Sequence, residues 1–548
     1  MLQRLARFCY RRRRVVLIAW LLAVVLVGVL AKTAGGKDAT NFTLPGTESQ
    51  QAFDLLKAHF PARSGDTADI VFAADGPQGV RAPDIQARME AAFAAAKAST
   101  AHVTAVSNPY GAQGARQISA DGRVAFAELQ LDTRVNNLPK GTASSIRNAV
   151  EKAAAPGDGL EVQFGGNLFA TRKPPGGTEA VGILAAMIVL LVAFGSLLAM
   201  ALPIFIAIIS IVIGLGLIAV LANGLEVVSF TGLIAAMIGI GVGIDYSLFI
   251  VTRFRQGLHD GLAPEDATAA AITTSGRAVL IAGSTVVIAL MGMFIMGLSF
   301  INGLAVGSAL AVLITMVAAI TLLPAMLGFC GLNIDKFHVP ALHRTASGAA
   351  TRTGFWFRWS RRIQRRPWPF ALGALALLLV LAFPITHLRL GNPDAGNDPK
   401  GSTTRQAYDL LSSGFGPGYN GPLTVAARLD HPSDLAVMRR LEAALRADPG
   451  VASVGPVVAN NAANPSAAII SVTPKTSPQD PRTATLVRHL RTQVIPAAVA
   501  GTGVTVHSGG SAAISIDLTK KLASRLPYFF AAVIALSFLL LMCVFRSV

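Results

Sequence analysis

Eight apolar runs constrain this chain more than anything else in it. A helix needs about 20 apolar residues to cross the hydrocarbon core of a bilayer. Residues 15–31, 180–197, 199–222, 227–251, 279–298, 303–330, 368–385 and 528–545 reach or approach that length. Only 14% of the 548 residues are charged and 52% are hydrophobic, whereas soluble domains carry about 25% charge. A purely soluble protein and a disordered chain are both excluded.

The formal net charge is +17, and most of it sits in two short stretches. Residues 1–14 hold six arginines, and residues 331–367 hold eight Lys or Arg against one Asp. Both flank apolar runs, which is the positive-inside pattern. A nucleic-acid binder would spread its basic face over a folded domain, so no nucleic-acid partner is expected. The first run resembles a cleavable signal, but an equivalent span follows the second Arg cluster, and a removable signal would not recur mid-chain. The expected division is a cytosolic N-terminus and first span (1–31), an outer domain (32–178) and five spans (179–330). A basic cytosolic linker (331–367), a seventh span (368–386), a second outer domain (387–524) and an eighth span (525–548) follow.

Cys9, Cys330 and Cys543 all lie outside the two large polar regions. No disulfide framework is available there, and no Cys/His cluster has zinc spacing. No metal or organic cofactor is expected. No phosphate-binding Gly-x-x-x-x-Gly-Lys-Ser/Thr motif and no nucleophile or acid–base constellation occurs, so the chain does not read as an ATP-driven pump or an enzyme.

Each outer domain reads as a leading helix followed by β-α-β-β-α-β, a ferredoxin-like α+β unit. The two also share text. LPGTESQQAFDLL (44–56) parallels DPKGSTTRQAYDLL (398–411), with Asp54 and Asp409 355 residues apart. Gly165-Gly166-Asn167 parallels Gly509-Gly510-Ser511 at 344, and Phe194 to Leu197 parallels Phe545 to Val548 at 351. Three matches in one order at a nearly fixed offset indicate internal duplication. The first copy continues through four more spans after Phe194, so the repeat predicts matching spans beyond residue 548 in a complete protein.

Within the eight spans the one carboxylate is Asp245, in GIGVGIDYSLFIVTRFR (239–255). Eight helical residues place it about 12 Å inside Arg253. An ionisable residue at that depth marks function by default. Low dielectric disfavours the charged form of a lone carboxylate, so the expectation is a group that can gain a proton from one side and lose it to the other as hydration changes. Tyr246 offers a hydroxyl beside it. Ser284 and Thr285 on the next span are the nearest polar candidates in sequence. Gly239, Gly241 and Gly243 are expected to let another helix approach, turning Asp245 into a helix bundle. The glycine spacing opens no strand-to-helix turn, so it is not a nucleotide loop.

These residues resemble the resistance-nodulation-division (RND) superfamily, most closely its MMPL-type lipid and lipophile transporters. The matched positions are Gly241, Gly243, Asp245, Tyr246, Phe249, Arg253 and Arg255. The resemblance implies a polytopic α-helical membrane protein with an RND-like bundle and two extracytoplasmic ferredoxin-like porter domains. It implies that Asp245 and Tyr246 relay protons, that a proton gradient is the energy source, and that the location is a bacterial-type plasma (inner) membrane. Such families have about twelve spans and a second Asp-Tyr pair in the tenth, which this sequence lacks. The implied partners are the bilayer, a lipid or other hydrophobic substrate and envelope proteins, in monomers or trimers. Two functions follow as expectations: a proton-driven exporter of hydrophobic molecules or envelope lipids, or a non-transporting lipid- or sterol-binding scaffold.

Overall fold

The computed structural model describes residues 1–36, 43–60, 67–111, 114–133, 135, 138–139, 141–157, 159–170, 178–336, 355–388, 391 and 394–545. Part of the basic linker (337–354) and the last residues of the third repeat match (546–548) lie outside these. In chain order the helices and strands are α1 (Leu2–Arg11), α2 (Arg13–Ala34), α3 (Glu48–His59), β1 (Thr67–Ala74), α4 (Pro83–Ala98), β2 (Val103–Val106), β3 (Val124–Leu131), α5 (Thr142–Ala154) and β4 (Leu160–Gly165). Next come α6 (Thr178–Phe194), α7 (Leu197–Leu221), α8 (Thr231–His259), α9 (Pro264–Ala271), α10 (Arg277–Met291), α11 (Ser299–Cys330), α12 (Phe355–Arg365) and α13 (Pro367–Ala382). The remainder is α14 (Thr403–Phe415), β5 (Leu423–Arg428), α15 (Leu435–Ala447), β6 (Val451–Val454), β7 (Val458–Ala459), β8 (Ala467–Pro474), α16 (Pro481–His489), α17 (Ile495–Val499), β9 (Thr505–Gly510) and α18 (Ser511–Phe545). They form two compact units. A helical unit combines Met1–Thr43, Pro174–Arg389 and Ser524–Val548; a sheet unit combines Leu44–Lys173 and Leu390–Ala523.

Seven helices among the described residues are long and apolar enough to cross a membrane, and Val181–Phe194 is a shorter apolar helix. The expected run 180–197 is cut short for a local reason. Gly195 takes a left-handed φ of 65°, and the Ser196 side chain accepts from the Ala199 N–H to cap α7. A left-handed glycine followed by a serine N-cap ends one helix and starts the next. The Ser196 hydroxyl also donates to the Ile334 carbonyl at 2.7 Å.

Helices α7, α8 and α11 pack through small residues. A Cβ on Gly243 would stand 3.0 Å from Ala207 Cβ and 3.1 Å from Thr315 Cγ2, and one on Gly239 3.3 Å from Ile211 Cγ1. Lipid tails are as apolar as leucine, so close van der Waals contact rather than water exclusion holds such helices together. The amphipathic α1 buries Ala6 and Cys9 and pairs Arg7 with Asp266 at 3.0 Å and Arg11 with Glu265 at 2.9 Å, fixing it to the start of α9.

The sheet unit holds two antiparallel sheets of matching order, β2-β3-β1-β4 and β6-β8-β5-β9, with β7 added on β8. One face of the first sheet packs on α4 and α5 around Phe72, Phe93, Ile146 and Phe164. One face of the second packs on α15 and α16 around Val425, Leu441, Ile470 and Leu486. The opposite faces are covered reciprocally. Ala407 and Leu411 of α14 pack on Val71, Val124 and Phe126 of the first sheet. Ala52 of α3 packs on Ala426, Ala467 and Ile469 of the second. Each leading helix therefore serves the other half's sheet, which the element order alone did not show. The exchange also protects the open edges. The Phe164 N–H of edge strand β4 donates to Thr403 Oγ1 at 2.8 Å, and the Ser508 N–H of edge strand β9 donates to Glu48 Oε1 at 2.9 Å.

Candidate functional site

The helix α8 carries the motif, and its turn geometry sorts the motif residues onto different faces. Residues four apart share a face; residues two apart point about 200° away from each other. Gly239 and Gly243 face α7 and α11. Gly241 does not share their role: a Cβ there would meet nothing within 4 Å. The expectation that all three glycines pack against a neighbour is corrected by this rotation.

The same rotation places Asp245. It is exposed and lies on a stripe with Met237, Gly241 and Phe249, where Met237 is 60% and Phe249 64% exposed. The expectation that Asp245 points among the helices of this chain is corrected likewise, because Gly239 and Gly243 occupy the packed side. Tyr246 is buried, 7% exposed, in a cluster with Ile250 and Met316. A Cβ on Gly283 of α10 would sit 3.4 Å from its Cε2. Asp245 and Tyr246 thus straddle the boundary between the open and packed faces of α8. Ser284 and Thr285 are not brought to Asp245 by any hydrogen bond; their hydroxyls donate to Leu280 O at 2.7 Å and Ile281 O at 3.0 Å in their own helix. Such back-bonding is the usual use of helical hydroxyls.

Sequence reasoning missed Ser247. Its hydroxyl is buried beside the pair and, like those of Thr231 and Ser308, has no hydrogen-bond partner among the described residues, whereas Ser210, Ser284, Thr285 and Thr315 bond one turn back. Nothing in the sequence distinguishes it. Arg255 was singled out only as a motif position, and the structure gives it a task. It pairs with Asp335 at 2.6 Å and donates to the Phe194 carbonyl at 3.0 Å, tying α8 to the end of α6 and to the turn after α11. Arg253 donates to the Gln256 side chain at 2.6 Å.

A second polar cluster lies in the sheet unit. Arg491 pairs with Asp517 at 2.5 Å and with Glu48 at 3.2 Å, and donates to Ser508 Oγ at 2.7 Å and Ser508 O at 2.9 Å. Burial pushes the Asp517 carboxyl up, but hydrogen bonds from Arg491 and Ser49 outweigh it and hold the group below the usual carboxylate range. The cluster borders an open cleft of about 590 Å³ lined by Gln51, Val499, Val506 and His507 among others. Its charges are already mutually satisfied, so it joins α3, β9 and α18 rather than presenting a reactive group. Among the described residues no group of three or more His, Cys, Asp or Glu could hold a metal ion.

The MMPL family model matches residues 41–370 and 423–548. The chain is similar throughout its length to the membrane protein YdfJ of Bacillus subtilis, at 32% identity over 73% of that protein. It is similar to the heme uptake protein MmpL11 of Mycobacterium tuberculosis, at 30% over all of this chain and 57% of that one. It is equally similar to the mycolic acid-containing lipids exporter MmpL11 of Mycolicibacterium smegmatis, at 30% over all of this chain and 58% of that one. The chain thus spans somewhat over half the length of the MmpL11 proteins. The matched region takes in α8 with its Asp-Tyr pair and most of both sheets, and on that ground this chain belongs to the MMPL family.

Proposed function

We propose that this chain provides the proton-coupled part of an exporter of hydrophobic molecules or cell-envelope lipids in a bacterial plasma (inner) membrane. Asp245 takes up and releases the proton, and the adjacent Tyr246 hydroxyl serves as its relay partner. The sheet unit acts outside the membrane as a pair of ferredoxin-like porter domains, a reading supported by the shared β2-β3-β1-β4 and β6-β8-β5-β9 orders. Orientation rests on the basic residues at 1–14 and 331–367.

The observation that carries the proposal is the stripe Met237–Gly241–Asp245–Phe249. An ionised aspartate at mid-helix costs about 2.5–3.5 kcal/mol on insertion scales. That cost is not tolerated against lipid tails, so the stripe faces further helices or a hydrated cavity in the working transporter. Gly241 then gives close access to Asp245 from that side. A carboxylate in such a place changes protonation as water enters and leaves, and that change is the step a proton gradient drives.

The test is transport in proteoliposomes under a pH gradient imposed in either direction, with a fluorescent anionic lipid as probe. The intact protein is expected to move lipid and protons together. Asp245→Asn is expected to lose at least tenfold of the gradient-dependent rate while remaining folded. Equal transport by the two proteins would remove the relay.

A further inference from the structure

The internal repeat puts two arginines in the same place and gives them opposite surroundings. Arg147 on α5 and Arg491 after α16 are 344 residues apart, as are Phe164 on β4 and Ser508 on β9. Arg491 reaches Ser508; Arg147 lies over the rings of Phe164 and Phe169, 5.7 and 6.0 Å from their centroids. The leading helix of the other half starts at the edge strand in each case, at β4 for the first sheet and β9 for the second. Glu48 supplies a carboxylate to Arg491 and to the Ser508 N–H. At the matching position Thr403 supplies only a hydroxyl, to the Phe164 N–H. The counterpart of Asp517 by the same offset is Lys173 in the sequence. Two carboxylates thus pair with Arg491, while the position matching Glu48 in the first half, Thr403, carries no charge.

The local bonding agrees. The Nε of Arg147 is buried and has no hydrogen-bond partner among the described residues. The residue as a whole is part-buried and keeps some solvent exposure. Asp398, four residues before the Ser402 cap of α14, accepts from the Thr404 hydroxyl at 2.5 Å. A guanidinium over two aromatic rings is suited to a planar or tetrahedral oxyanion.

We propose that Arg147 is an anion-binding site that takes a carboxylate or phosphate group, with the aromatic pair Phe164 and Phe169 as its floor. The anion site stands on the geometry above; that the anion is a lipid headgroup rests on the export reading. The first half thus binds with the arginine that the second half uses to lock its own structure.

The full-length protein in dodecyl maltoside at 150 mM salt is titrated with inorganic phosphate, oleate and phosphatidylglycerol by native mass spectrometry and thermal shift. Saturable binding is expected, weakened at least tenfold by Arg147→Gln. Thr403→Glu installs the second half's carboxylate at the matching position. It is expected to abolish binding while leaving the unfolding temperature unchanged or raised. Binding of phosphate alone identifies a free-anion site, and binding of the amphiphiles but not phosphate identifies a headgroup site; both support the assignment. No saturable binding of any probe, or binding untouched by Thr403→Glu in a folded protein, overturns it. The readout is binding, so absence of transport in the proteoliposome experiment leaves this result interpretable.

Discussion

Replacing Asp69 with asparagine should stabilise the protein above neutral pH and do little below pH 5. Asp69 lies on β1 directly opposite Glu128 on β3 and beside Gly165 on β4. A Cβ on Gly165 would be 3.5 Å from Asp69 Cβ and 3.6 Å from Ala407 Cβ, so α14 closes over the position. Burial, followed by the charge of Glu128, pushes the Asp69 carboxyl from 3.8 up to about 7. The same surroundings raise the Tyr419 hydroxyl, through burial and then both carboxylates. With the folded value above the unfolded one, the folded state holds the extra proton between about pH 4 and pH 7. Stability is therefore complete below that window, falls as pH rises through it, and is constant above it. Three pH units correspond to about 4 kcal/mol. Asp69 keeps some contact with solvent, so we take half, about 2 kcal/mol. That converts to roughly 4–8 °C in unfolding temperature for a domain of this size. Intrinsic-fluorescence melts of the detergent-purified protein at pH 4.5, 6 and 8 provide the measurement. Asp69→Asn should match the parent at pH 4.5 and exceed it at pH 8. An Asn variant that melts lower than the parent at pH 8, or a difference independent of pH, would refute the reasoning, because the ionised carboxylate would then be favourably held.

Valine at Gly243 should cost about 1–3 kcal/mol by overpacking against Ala207 and Thr315, whereas valine at Gly241 should leave folded yield and melting temperature unchanged. Arg491→Met should destabilise the sheet unit by about 3–5 kcal/mol, because Glu48 and Asp517 lose their shared cation in a site where Arg491 is 14% and Asp517 9% exposed. The triple variant Glu48→Gln, Arg491→Met, Asp517→Asn should recover at least half of that loss in the same melts, and a triple variant as unstable as the single one would rule out an electrostatic origin.

The membrane spans were legible because run length is a one-dimensional property that the bilayer reads directly. Their ends were less so: residues 180–197 look continuous in hydropathy, and only the pairing of a left-handed Gly195 with a capping Ser196 divides them from α7. The motif in α8 was found from composition, but its faces were misassigned where adjacency in text stood in for rotation about the axis. Gly239, Gly241 and Gly243 read as one set, yet 100° per residue sends the middle one to the side of Asp245. The Glu48–Arg491–Asp517 cluster had no local signal at all, since its members come from three elements far apart in the chain and none sits in a recognisable spacing.

The exchanged helices were hidden for a different physical reason. Amphipathic periodicity shows that α3 and α14 each have an apolar face, with Ala52 and Ala407 on it, but burial is non-directional and does not name the sheet that receives that face. The repeat was visible as text at offsets of 344 to 355 residues, and it marked which positions would correspond once the sheets formed. What it could not convey is that corresponding positions diverged in charge. Glu48 corresponds to Thr403, and Asp69 and Glu128 stand where the second half has Thr424 and Ser471. A duplicated scaffold keeps backbone pairing, because every edge N–H still needs an acceptor, and Thr403 meets that need as well as Glu48 does. The charge at that position is free to change, and with it the chemistry of the arginine beside it. The two sheets are therefore alike where hydrogen bonding dictates and different where only electrostatics is at stake, which is where separate roles for the two halves should be sought.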